Sequence, residues 1–506
     1  MDRRNFIRAT ATASAALLAR PVLGAETPAV INASVDLHKT TGPLHHVWEE
    51  CAGSDRAAIT LRESWRADLD RWKADVGLKR VRFHGIFADE LGVFAPSILH
   101  GNPKEPNFRN VFEVYDGLVA RGVAPYVELS FMPAMLASGP RTFGFYKANV
   151  SPPASLDAWA AFIKQFVTAL IGRYGLAAVR QWPFEVWNEP NLGAFWSGTQ
   201  ADYFALYKAT AVAIKQVDAA IQVGGPSTSS VAWIGEFLAF CTAENAPLDF
   251  IATHCYAGDR QAPMFGPGAA LPQYDVIPTA VAQTRKTIEA SAYAGKPLWL
   301  SEWSCDSPAM LAHVVAGCLP HLQAMSHWAL SGSYEELGVT DHLLKEGDNG
   351  YPALYRGIAR PNFNTYRLLH ALGHERLAGD GPVLASRRAD GSMAALAWNL
   401  ADVTQPAGLP EASNVRKVTG TARRLDLRFV GARPGAKALV RFVDQQRGSA
   451  LPAWRAMGSP ALPTMAQIAQ LRRASEIAPP TPMRLGAGGA LSIDLPAEAV
   501  ALVEIV

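Results

Sequence analysis

Glu189 closes the run PFEVWNEP (183–190), and Glu302 lies near the end of PLWLSEWS (297–304). Each follows a short apolar, partly alternating segment, so each is expected at the end of a strand. Other strand-like runs end in residues of matching chemistry: Arg82 and His84 in VRFHG, His254 and Tyr256 in HCY, His327 and Trp328 in HWALSG. Two carboxylates on opposite sides of a cleft meet the requirement of glycoside hydrolysis. One is held protonated and gives its proton to the leaving oxygen; the other is ionised and faces the anomeric carbon. Unlike surroundings can drive their two pKa values apart. Trp rings fit the apolar C–H faces of a sugar, and Asn188, the histidines and glutamates fit its hydroxyls. Singly, each signal has a plainer meaning. A strand-end glutamate often caps a helix or pairs with a cation, buried tryptophans are core, and proline makes Asn-Glu-Pro a turn. The pair, at two strand ends, favours catalysis.

Such residues need a frame that gathers strand ends. Strand candidates at 44–51, 79–85, 124–130, 183–190, 221–227, 248–256, 297–304 and 325–332 alternate with helical patterns. Examples of the latter are 65–77, 108–122, 155–175 and 201–217, where apolar residues recur every three or four positions. Eight β/α units in roughly 300 residues is the arithmetic of a (β/α)8 TIM barrel, an α/β fold whose chemistry sits at the C-terminal strand ends. A doubly wound sheet is the rival, but no GxGxxG turn joins a strand to a helix here. After 362–373 the character changes to short alternating segments at 392–400, 416–430, 437–444 and 490–506, separated by Pro- and Gly-containing turns. They predict a C-terminal antiparallel β-sandwich, which the alternating run 29–37 can join. The expected division is a barrel over 40–350 and an accessory β-sandwich from 26–39 plus 351–506.

Composition narrows the partners. Lys and Arg total 47 against 45 Asp and Glu, so no basic field is available for nucleic acid. No segment after the N-terminus reaches the roughly 18–20 apolar residues of a membrane span. The first residues, MDRRNFIRATATASAALLARPVLGA, carry Arg3-Arg4, then an Ala-rich stretch and small residues at Gly24-Ala25. This resembles a twin-arginine (Tat) export signal over 1–25 and predicts a periplasmic or secreted protein. Five cysteines, an odd number, fit no zinc spacing and are expected as buried free thiols. His45 and His46 are adjacent and point to opposite faces of a strand, so at least one is structural. With no HExxH and no carboxylate cluster at ligand spacing, neither a metal nor a cofactor is expected.

The stretches WEECAGSDRAAITLR (48–62), VRFHGIF (81–87), FEVWNEPNLGAFW (184–196), HCY (254–256), WLSEWS (299–304), HWALSGSYEELG (327–338) and RPNFNTYRLLHALG (360–373) resemble glycoside hydrolase family 39. That family belongs to a large clan of retaining (β/α)8 glycosidases. The resemblance implies Glu189 as general acid/base and Glu302 as nucleophile. It places Asn188 on the sugar 2-hydroxyl, Tyr256 against the nucleophile, and His84 and His254 on ring hydroxyls. Trp328 becomes a stacking platform, and Glu335 or Glu336 takes an outer hydroxyl. Of the family's activities, β-xylosidase is preferred to α-L-iduronidase, because a uronic acid needs a cation and Tyr256 stands where lysosomal iduronidases carry Lys. The expectation is an exo-acting β-D-xylosidase cleaving xylo-oligosaccharides through a covalent glycosyl-enzyme. Gly332 stands where xylosidase members show Asp, a change expected to widen or retune the site. That leaves an α-L-arabinosidase or an endo-acting glycanase as alternatives. A carbohydrate-binding protein, the non-enzyme alternative, would need neither glutamate.

Overall fold

The computed structural model describes residues 29–94, 102, 104–332, 336, 338–340, 342–344, 352–403 and 417–506. The expected export segment and Glu335 lie outside them. The described chain enters on β1 (Val30–Pro43) and then builds eight parallel strands. These are β2 (Cys51–Arg56), β3 (Arg80–His84), β4 (Ala124–Leu129), β5 (Phe184–Val186), β6 (Val223–Thr228), β7 (Phe250–His254), β8 (Leu298–Trp303) and β9 (Ala324–His327). They pair in chain order and close, β9 on β2, into the expected barrel. A long helix follows each: α1 (Glu63–Val76), α2 (Arg109–Val119), α3 (Leu156–Tyr174), α4 (Gln200–Val217), α5 (Ile234–Ala243), α6 (Gln273–Glu289), α7 (Pro308–Cys318) and α8 (Pro361–His370).

The local chemistry of α3 explains its span. The Ser155 hydroxyl accepts from the Ala158 N–H and satisfies one orphan donor of the first turn. Trp159, Phe162, Ile163, Phe166, Val167 and Leu170 then form one buried stripe, and Gly175 ends the helix. Truncating Phe166 to Ala in that stripe costs about 3–5 kcal/mol.

The first barrel strand departs from expectation. It begins at Cys51, whereas 44–51 was the predicted strand. His46 Nδ1 bonds Glu49 Oε1 at 2.5 Å, and the Glu49 N–H bonds the His46 carbonyl at 3.0 Å. This local turn replaces the ladder. His46 is buried and His45 exposed, as their alternation required. The true strand, CAGSDR, lacks the large apolar residues that announce a strand. Its Gly53 makes room for Trp328, whose Cε3 would lie 2.5 Å from any Cβ there.

The C-terminal chain forms a nine-stranded sheet with β1. Its members are β10 (Glu375–Asp380), β11 (Val383–Arg387), β12 (Met393–Trp398), β13 (Arg423–Val430), β14 (Lys437–Val443), β15 (Thr481–Arg484), β16 (Ala490–Leu495) and β17 (Val500–Ile505). The order is β15-β14-β17-β12-β11-β10-β1-β13-β16. Every pairing is antiparallel except β1 with β13, which is parallel and so needs a long crossover. That crossover contains the whole barrel and then β10, β11 and β12. Alternation along β12 divides two cores. Ala395 and Ala397 face the sheet's own interior with Val35, Leu425, Val440 and Val503, while Leu396 and Trp398 join the barrel core. Two helices, α9 (Leu451–Ala456) and α10 (Met465–Ala474), interrupt the strands without having been expected. All five cysteines are buried and none is joined in a disulfide, as expected. Among the described residues no helix is long and apolar enough to cross a membrane.

Candidate active site

A strand buried on both faces in a closed barrel is ordinarily apolar, yet β3, β4 and β5 carry Arg82, Glu128 and Glu185. Their register explains this. Arg82 pairs with Tyr126 and Glu128 with Glu185, so the charges meet inside the barrel. Arg82 Nε donates to Glu185 at 2.6 Å, Nη1 to Glu302 at 3.1 Å, and Nη2 to Asn188 at 2.9 Å and Ser227 at 3.3 Å. Nη2 also lies 2.9 Å from Glu128. Burial pushes the guanidinium pKa down, but the three carboxylates outweigh it and hold Arg82 charged. Burial pushes Glu128 up to about 7 against the pull of Arg82. The guanidinium lies inside the barrel and organises the floor of the site.

Glu302 sits on that floor. Tyr256 O–H donates to its Oε1 at 2.7 Å and Arg82 to its Oε2, so both oxygens accept. Glu189 comes from the turn after β5, with φ 42° at Glu189 and 72° at Trp187. Left-handed backbone at two bulky residues is held by surroundings that over-determine it. The Glu189 N–H bonds the Ser227 carbonyl at 2.8 Å, and Trp187 Nε1 donates to Phe195 O at 2.9 Å. Burial pushes Glu189 up to about 7, while the Ser229 hydroxyl and the charge of Arg82 oppose that rise. His254 lies between the glutamates, its Nδ1 at 3.0 Å from Glu189 Oε1 and 3.6 Å from Glu302 Oε2, its Nε2 at 3.4 Å from Ser227 Oγ. Burial lowers His254 to about 4, so it is neutral near pH 7. Oxygens of Glu189 and Glu302 approach within 4.8 Å of each other.

On the opposite wall His84 bonds Glu128 at 2.8 Å and lies 3.5 Å from Glu336. Its ring centroid is 4.6 Å from that of Trp328. Burial and the neighbouring Arg82 lower His84 to about 3. Trp328 and Tyr256 share one buried cluster. Asn188 accepts from Arg82 through Oδ1, while its buried Nδ2 has no partner among the described residues. The structure thus gathers Glu189, Glu302, His84, Asn188, His254, Tyr256, Trp328 and Glu336. At Gly332 the ring of Tyr355 packs closely, with Cδ1 2.2 Å from where a Cβ would stand.

Glu128, Glu185 and Ser227 were not singled out from the sequence. Charged residues inside APYVEL and PFEV were the available signal, because a doubly buried strand tolerates a charge only with a partner. His46, Glu49 and His370 also converge, away from this site, where both imidazoles bond the same Glu49 oxygen.

Residues 31–492 match the model of Glycosyl hydrolases family 39. The chain belongs to glycosyl hydrolase family 39. A beta-xylosidase of Geobacillus stearothermophilus is 31% identical, the match spanning 82% of this chain and 84% of that protein. One from Caldicellulosiruptor saccharolyticus is also 31% identical, over 88% and 92%. The human alpha-L-iduronidase is 25% identical over 94% of this chain and 78% of its own. The crystal structure of a monomeric beta-xylosidase from Caulobacter crescentus CB15 superposes with a TM-score of 0.80 at 31% identity, covering 94% of this chain and 99% of that one. As a family 39 member the chain is a glycoside hydrolase, and its substrate is a carbohydrate.

Proposed function

We propose that this family 39 enzyme is a retaining, exo-acting β-D-xylosidase that releases xylose from xylo-oligosaccharides. The observation that carries the mechanism is the approach of Glu189 and Glu302 within 4.8 Å. Retaining pairs stand about 5–5.5 Å apart, whereas inverting pairs leave about 6.5–9.5 Å for a water. Glu302, accepting at both oxygens, attacks the anomeric carbon as the glycosidic C–O bond breaks. Glu189, kept protonated near neutrality by burial, gives its proton to the leaving oxygen. The ester to Glu302 is then hydrolysed by a water that Glu189 deprotonates, and the configuration is retained. His254 orients both carboxyls, and Tyr256 holds Glu302. Asn188 offers its unpartnered Nδ2 to the 2-hydroxyl, His84 and Glu336 take outer hydroxyls, and Trp328 forms the platform. Glu335, outside the described residues, is the alternative to Glu336.

The two beta-xylosidases at 31% identity support xylose as the sugar. The cation nearest the glutamates supports a neutral sugar too: Arg82 already faces three carboxylates and has no vacancy for a uronate. We further assign 1–25 to Tat-type export into the periplasm or medium, the stretch from 40 through α8 (Pro361–His370) to the catalytic barrel in place of the expected 40–350, and 26–39 with the sheet from β10 onward to a bracing β-domain. The test is hydrolysis of p-nitrophenyl β-D-xyloside, α-L-arabinoside, β-D-glucoside and α-L-iduronide by wild type and Glu302→Gln. Release of xylose by wild type alone, with retained configuration, is the expected result. Preference for another glycoside discards the sugar; full activity of Glu302→Gln discards the mechanism.

A further inference from the structure

Among the described residues, two groups of three ligand-type side chains bring their donor atoms within 4.8 Å of one another. One is the pair of glutamates with His254. The other, His46, Glu49 and His370, lies at the opposite end of the barrel. His46 and Glu49 precede β2, and His370 closes α8, so all three reach the face where the parallel strands begin. The reaction above uses none of them. His46 is fixed in place by its neighbours. Its ring packs against Trp48 and His374, with centroids 4.5 and 4.3 Å away, and its Nε2 faces the Gly373 carbonyl at 3.3 Å. A neutral ring that donates there turns its Nδ1 lone pair toward Glu49 Oε1, 2.5 Å away. An ionised carboxylate only accepts, so that contact calls for a cation between the two atoms: a second ring proton, or a metal. His370 Nδ1 meets the same oxygen at 2.8 Å. Gly77 leaves room for the group, since a Cβ there would stand 2.8 Å from His370 Cε1 and 3.5 Å from Glu49 Oε2.

We propose that His46 Nδ1, His370 Nδ1 and Glu49 bind one divalent transition-metal ion of the zinc type, which clips the chain's entry into the barrel to the end of its last helix. Two imidazoles and a carboxylate, with water in a fourth place, are a zinc donor set. A ring that gives its other N–H to a backbone carbonyl is the usual outer support of a metal-bound histidine. His370 is exposed, so an ion has a way in and a water has a place. Tetrahedral ligands at about 2.0–2.1 Å from the ion stand about 3.3 Å apart, so Glu49 Oε1 withdraws by roughly 0.5–0.8 Å as the ion enters. The role is structural, because the strand ends that carry the chemistry are at the other face.

The full chain, stripped with a chelator, is titrated with Zn²⁺ by calorimetry and with Co²⁺ by visible absorption, wild type beside His370→Ala and Glu49→Gln. The exposed position of His370 makes its alanine variant mild for the fold. Wild type should bind one equivalent with a Kd on the order of 1 μM or below, and Tm should rise by roughly 2–5 °C with Zn²⁺ at about 100 times Kd. Each variant should bind about tenfold or more weakly. Bound Co²⁺ should give tetrahedral d–d bands without a thiolate charge-transfer band, since no cysteine belongs to the set. Hydrolysis of the preferred aryl glycoside should stay within about twofold when one equivalent is added. The site is refuted if wild type binds no Zn²⁺ below about 1 mM, or if either variant keeps the equivalent at wild-type affinity. Bound Zn²⁺ that abolishes hydrolysis also refutes it, because the ion would then sit on Glu189, His254 and Glu302.

Discussion

Arg82 offers the sharpest test of how the floor of the site is held. Its guanidinium addresses Glu185, Glu302 and Glu128 from three separate nitrogens, at 2.6, 3.1 and 2.9 Å. Lysine keeps the charge but carries it on one nitrogen, which cannot stand at all three places. Arg82→Lys therefore forfeits at least two charge-assisted hydrogen bonds. At about 1.5–3 kcal/mol each, the loss is about 3–6 kcal/mol, a large part of a typical domain's stability of about 5–15 kcal/mol. Urea unfolding of the variant beside wild type measures it. Activity should fall as well, because Glu302 loses its anchor at Oε2 while Tyr256 still holds Oε1. A variant within about 1 kcal/mol of wild type would mean that the carboxylates do not depend on the guanidinium fork, and the reasoning would be wrong.

Other outcomes follow from the same geometry. Glu189 must be protonated to act as the acid, and burial raises it to about 7, so kcat/KM should fall as pH rises through about 7. A basic limb near the ordinary carboxyl value of 4.5 would remove Glu189 from that role. Tyr256→Phe deletes a 2.7 Å hydrogen bond to Glu302 and leaves the ring; kcat should fall roughly 10–100-fold with thermal stability nearly unchanged. Glu189→Gln should lower kcat/KM about 10²–10⁴-fold on xylobiose, and much less on an aryl xyloside whose leaving group needs no proton. Burial pushes Glu49 up, but the hydrogen bonds of His370 and His46 outweigh it and hold the carboxyl down at about 2. Its stabilisation is then present above pH 4.5 and lost as pH falls toward 2. Glu49→Gln should flatten that part of a stability-against-pH curve.

The barrel was legible because its strands and helices have different periods, and seven of eight strand positions were found. The exception, CAGSDR, is built from small and polar residues chosen by Trp328 and the barrel interior, not by strand propensity. The two glutamates were legible because strand ends in this fold face one rim. The layer beneath them was not. Glu128 and Glu185 lie inside strands, and their meaning depends on a register with Arg82 that only closure of the barrel creates. In the β-domain, alternation revealed β12, β13 and β14, but the parallel pairing of β1 with β13 is a long-range choice with no local mark.

That pairing has a consequence for synthesis. β1 is among the first described segments to leave the ribosome, but its neighbours β10 and β13 begin at Glu375 and Arg423. At about 5–20 residues per second, translation takes on the order of tens of seconds to supply either one. Through that interval the whole barrel can fold while the strand that must seat in the middle of the other sheet stays unpaired. The two ends of the chain are thus sealed together last. A nascent or C-terminally shortened chain is left carrying an unmatched strand ahead of a finished barrel, a form that a holdase or a protease can distinguish from the complete enzyme.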